Sequence, residues 1–117
     1  MKEINIGEIK TEYSDIVKFI EKLEISEEEQ ISVIRAKLKL FDGTIVWVRE
    51  VLIKEIIESY SYYWLRADET LIIGWDNAPH HKEVNSFPHH MHIGNRVEAS
   101  QERNLRDVLS FIRNFLG

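Results

Sequence analysis

All five histidines of this 117-residue chain lie between positions 80 and 92, as His80, His81, His89, His90 and His92. They belong to the stretch WDNAPHHKEVNSFPHHMH, residues 75–92, in which Pro79 and Pro88 each introduce a cluster. Imidazole binds borderline metals and titrates near neutrality, so the segment suggests two chemistries. If PHHMH is extended, His90 and His92 project to one side and His89 to the other. Such a His-x-His pair stands roughly 6–7 Å apart at the strand rise and can share a metal ion or a phosphate. A third ligand from Asp76, His80 or His81 would complete an open zinc or nickel site, with His80, His90 and His92 as its simplest set. The spacing matches no named metal motif.

The second chemistry needs no metal. One neutral and one protonated imidazole can remove and deliver protons in a single reaction, and cleavage of an RNA backbone needs little more. Arg96 is the candidate cation for the phosphate, because guanidinium pairs bidentately with it. Trp75, Tyr62 and Trp64 are candidates for stacking exposed bases, although tyrosine and tryptophan on a sheet more often serve the core. A plainer reading stands beside both: the histidines hydrogen-bond carbonyls and fix a loop that Pro79 and Pro88 stiffen. Asp76 and Asn77 suit turn capping, and Gly94 suits a turn.

The elements that must hold this segment are readable on either side of it. Ile9, Tyr13, Ile16, Val17, Ile20 and Leu23 recur at three- and four-residue steps, which predicts a helix over residues 11–24 with Thr11 as N-cap. The charged EISEEEQ follows as a linker. VIRAKLKLF then alternates with period two, FDGT supplies a tight turn, and TIVWVREVL, ESYSYYWLRA and TLIIGWDN read as three further strands. Past the histidines, Leu105, Val108, Leu109, Ile112, Phe115 and Leu116 form the stripe of a closing helix, with Ser100 as its candidate N-cap. The expected fold is α+β with two layers: an antiparallel meander of four to five strands packed by N- and C-terminal helices. The whole chain, 1–117, makes one domain.

The net charge of −5 argues against a protein that coats nucleic acid non-specifically. Residues 1–30 hold four lysines against eight glutamates and one aspartate, so they carry all of it, and residues 31–117 are neutral. With no cysteine there are no disulfides or thiolate metal sites. No apolar run approaches the roughly 20 residues of a membrane span. The start, MKEINIGEIK, has no h-region. A cytoplasmic protein with no membrane association is the expectation.

VREVL, YSYYW, WDNAPHH, FPHHMH, VEAS and LRDVLSFI, in this order and at these spacings, resemble the TumE family, the toxin half of prokaryotic type II toxin–antitoxin pairs. The resemblance covers roughly residues 33–116 and leaves an acidic, helical segment 1–30 outside it. It implies a cytoplasmic toxin neutralised by a cognate antitoxin protein. Kinship with RelE- and HigB-like toxins implies mRNA interference, with RNA or the ribosome as partner. It also marks Asp76, Asn77, His80, His81, His89, His90 and His92 as hallmark positions.

The chemistry of the side chains then assigns roles for an endoribonuclease. His90 and His92 act as acid and base, His80 or His81 assists, Arg96 holds phosphate and Asp76 orients an imidazole. Asn77, His89, Trp75, Trp64 and Tyr62 contribute binding. This reading requires no cofactor; zinc or nickel belongs to the alternative, a metal- or partner-binding module whose histidine loop is structural or recognises a partner. A meander also leaves two edge strands, either of which could pair across a homodimer axis.

Overall fold

The computed structural model describes residues 6–116. The elements run α1 (Ile6–Glu12), β1 (Val17–Glu28), β2 (Ile31–Leu40), β3 (Ile45–Ile53), β4 (Ile56–Leu65), β5 (Leu71–Asp76), β6 (His90–Ile93), β7 (Arg96–Ala99) and α2 (Leu105–Leu116). The strands form one seven-stranded sheet in sequence order. Every neighbouring pair is antiparallel, so the sheet is an unbroken meander. The α+β, two-layer expectation holds, but the strand count is seven rather than four to five.

The extra strands have identifiable causes. The stripe over residues 11–24 is not a helix: α1 stops at Glu12, and the chain is extended from Val17. Register shifts between Val17 and Phe19, and again between Ile20 and Lys22, break the period of two in β1. Ile20 and Leu23 therefore face the same side while three residues apart, which imitates helical spacing. Thr11 lies inside α1, where its hydroxyl donates to the Gly7 carbonyl at 3.1 Å instead of capping. EISEEEQ is the end of β1 and its turn to β2, with Glu29 at positive φ. At the other end, Gly94 takes a φ of 58° in a two-residue turn that returns β6 as β7.

Both helices lie on one face of the sheet. Ile6, Ile9, Tyr13, Leu105, Val108, Leu109 and Ile112 pack on Ala36, Leu38, Val46, Val48, Tyr62, Trp64 and Trp75. Each such aliphatic side chain contributes about 1.5–3 kcal/mol by leaving water. Arg106 clamps Glu12 through two 2.8 Å hydrogen bonds, and Arg113 clamps Asp15 through two of 2.9 and 2.7 Å, tying α2 to the segment around α1. The N-cap of α2 is Asn104 rather than Ser100. Asn104 Oδ1 accepts from the Asp107 amide at 2.8 Å, and Asp107 Oδ2 accepts from the Asn104 amide at 3.0 Å. No helix among the described residues is long and apolar enough to cross a membrane. Among the described residues no helix lies over the opposite face of the sheet, and His81, His90 and His92 converge there.

Candidate functional site

Strand register builds the site. Asp76 ends β5 directly opposite His90 of β6, and Gly74 stands opposite His92. Residues paired across an antiparallel ladder share a face, so Asp76, His90 and His92 all project to the open side. His90 Nε2 lies 2.9 Å from Asp76 Oδ1, and His92 Nε2 lies 3.3 Å from Asp76 Oδ2. His81 reaches in from the loop between β5 and β6. Its ring centre is 4.9 Å from that of His90 and 5.6 Å from that of His92, while His90 and His92 are 4.9 Å apart.

His90, His81 and Asp76 are each oriented from behind. His90 Nδ1 lies 2.9 Å from the Pro88 carbonyl. A carbonyl only accepts, so Nδ1 carries the proton and Nε2 faces Asp76. That geometry suits an imidazolium facing the carboxylate, and equally a neutral imidazole that shares a proton or a metal cation with it. His81 Nδ1 is held by Glu83 Oε1 at 3.0 Å. Asp76 accepts from the Ala78 amide at 3.0 Å and from the Tyr63 hydroxyl at 3.1 Å. Burial first, and then the Asp76 charge and hydrogen bond, push the Tyr63 hydroxyl up to about 12. Tyr63 therefore stays a donor to the carboxylate throughout the physiological range.

Exposure divides the site in two. His90 is 1% exposed and Asp76 4%, so they form its floor. The side chains of His81 and His92 are 31% and 27% exposed and form its mouth. One ligand atom from each of His81, His90 and His92 lies within 4.8 Å of the others, close enough for the three to hold a metal ion. The donor set suits zinc or nickel, and the acceptors behind His81 and His90 are of the kind that orient ligating imidazoles.

The other sequence candidates lie elsewhere. His80 is exposed and outside the trio, so His81 is the residue the loop contributes to the site. His89 turns to the helix side, where Nδ1 meets the Tyr60 hydroxyl at 2.8 Å and the ring stacks on Tyr60. Asn77 joins β5 to β4, accepting from the Tyr60 amide at 2.9 Å and donating to the Glu58 carbonyl at 3.1 Å. Trp75, Trp64 and Tyr62 are sealed beneath the helices and present no face to a base. Arg96 pairs with Ile93, on the row opposite in sense to His92, and its guanidinium lies 3.3 Å from Glu98. It is not beside the histidines.

Sequence reasoning passed over Tyr63 and Gly74. A Cβ on Gly74 would collide with the Tyr63 ring, which lies flat across the glycine and reaches Asp76 over it. The signal was parity: Tyr63 alternates with Tyr62 and Trp64, so it must face away from the core they enter.

The fold and site define a small α+β protein with a histidine–carboxylate centre on an open sheet face. The family model of the toxin TumE matches residues 9–116, and the chain belongs to that family, the toxins of toxin–antitoxin systems. The match takes in β1 and part of α1, a region the sequence motifs did not reach. Comparison with curated proteins and with solved structures returned no match.

Proposed function

We propose that this toxin cleaves RNA, with His81 and His92 as the proton-transfer pair and the Asp76–His90 unit holding them in place. The observation that carries the reading is two imidazoles, His90 and His92, on one buried carboxylate with the His81 ring packed against both, His81 and His92 being open to solvent. One mouth imidazole takes the proton of a 2′-hydroxyl, whose oxygen attacks phosphorus. The P–O5′ bond breaks, and the other imidazole, protonated, delivers its proton to the leaving 5′-oxygen. The products are a 2′,3′-cyclic phosphate and a 5′-hydroxyl end. His90 is a positioning residue in this reading rather than acid or base, because its two nitrogens face the Pro88 carbonyl and Asp76. An antitoxin protein is the partner that restrains this activity in the cell.

Purified toxin and a labelled RNA test this directly. Cleavage in the presence of chelator that leaves cyclic-phosphate ends, and is lost in the His81→Ala/His92→Ala variant, is the expected result. An intact RNA, or full activity in that variant, overturns the reading. A metal-centre reading is favoured by the 4.8 Å spacing of the three ligand atoms. It requires about one equivalent of zinc or nickel in untagged, dialysed protein, and a Tm that falls when chelator removes it.

A further inference from the structure

The open face carries more than the histidines. Arg35 and Arg49 are direct partners in the β2–β3 ladder. Like charges placed opposite one another are destabilising, and both side chains are exposed. Neither forms an ion pair or side-chain hydrogen bond among the described residues, although the protein is acidic overall. The carboxylates nearby are engaged with other groups. Glu24, paired in register with Arg35, is 3.2 Å from Lys22, while Glu21 and Glu69 lie 2.9 and 3.8 Å from Lys37. A repulsive pair kept without a neutralising partner suits a role in binding an anion.

The register extends this pair to the site. Arg35, Arg49, Ser61, Asp76 and His90 are successive partners across five strands. The adjacent row runs Lys37, Trp47, Tyr63, Gly74 and His92. Arg35, Trp47, Arg49, Ser61 and Tyr63 line a groove of about 290 Å³. Trp47 and Tyr63 are the half-buried aromatics of this face, and Lys37 stands 5.2 Å over the Trp47 ring. Three strand spacings, about 14 Å, separate Arg49 from His90, a reach of a few nucleotides.

We propose that this face is a single-stranded RNA track: Arg35 and Arg49 hold phosphates, Trp47 and Tyr63 stack bases, and the strand is delivered to His81 and His92. The proposal rests on the RNA-cleaving reading of the histidine site and names its substrate class. A flat row of cations beside aromatic faces takes an unpaired strand, whose bases are free to stack, and not a duplex, whose bases are already stacked.

The test is anisotropy of a fluorescent, uncleavable 2′-O-methyl single strand over a range of salt concentrations. Arg35→Ala/Arg49→Ala should weaken binding about tenfold or more and flatten the salt dependence by roughly 1.4 in log–log slope, two phosphates' worth for a single strand. Trp47→Leu should weaken it about fivefold or more. Lys10→Ala, on the helix side, should bind as wild type. A duplex of the same sequence should bind more weakly. Unchanged binding in the double arginine variant, equal affinity for duplex, or no binding by wild type overturns the track. Binding that depends on the arginines, with no cleavage of unmodified RNA, leaves the track standing and sinks the nuclease reading. Cleavage with arginine-independent binding does the reverse.

Discussion

His89 and His90 are neighbours in the chain and have nothing in common in the fold. His89 turns to the helix side and stacks on Tyr60, while His90 turns to the open side and meets Asp76. The same division runs along β4. Tyr62 and Trp64 are sealed under α2, and Tyr63 between them reaches the carboxylate of the site. On the helix face, aromatic rings and Glu50 serve packing. On the open face, residues of the same types are left with polar groups to act on. What a side chain can do here is decided by its parity in the strand and by whether a helix covers that parity.

The comparison is broken most decisively by the histidines themselves. His92→Ala should reduce RNA cleavage by about 10²–10⁴-fold and relieve growth inhibition with little change in Tm. His89→Ala should cost roughly 1 kcal/mol through the lost Tyr60 hydrogen bond and leave toxicity in place. Paired measurements of cleavage rate and melting decide it, and equal losses of activity would mean the faces are not functionally distinct.

Next in size is the contrast between aromatic and cationic positions. Trp75→Ala removes a ring packed edge-on against Phe111 and should destabilise by about 3–5 kcal/mol in urea melts. Arg35→Ala should leave the melt unchanged while weakening single-strand binding. A stable Trp75→Ala protein would show that the helix layer is not where stability resides.

Gly74→Ala probes the seam. The new methyl meets the Tyr63 ring and should cost about 1–3 kcal/mol. In a Tyr63→Ala background the same change should cost much less. A double-mutant cycle measures that coupling, and strict additivity would mean the ring does not depend on the glycine.

The smallest effect concerns Glu50, buried on the helix face with Oε1 unpartnered among the described residues and Oε2 accepting from Tyr62. Burial raises its carboxyl above the ordinary value, and the Tyr62 hydrogen bond only partly offsets this. A folded value above the unfolded one gives stability that is present at low pH and lost as pH rises through the folded value. Glu50→Gln removes that loss, so the Tm of the variant relative to wild type should climb between pH 4 and 8, by the equivalent of roughly 1 kcal/mol. A pH-independent difference would show that Glu50 keeps its charge in the fold.

Much of this was legible in one dimension. The alternation in β2–β5, the Asp42–Gly43 turn and the α2 stripe each depend on near neighbours in the chain, so local pattern determined them. His90 and His92 share a face because both lie in one extended segment. The strand character of β1 was hidden, because two register shifts gave its apolar residues a helical spacing. Sequence by itself also could not decide which of the paired histidines in the 79–81 loop turns inward, nor that Arg96 faces away. Those outcomes depend on loop path and ladder register, and only the packed sheet sets either. The sequence determined that a titratable cluster exists. Tertiary structure alone decided that it shares a face with Arg35, Arg49, Trp47 and Tyr63, because the hydrogen-bonded register of five separate strands aligns residues that lie far apart in the chain.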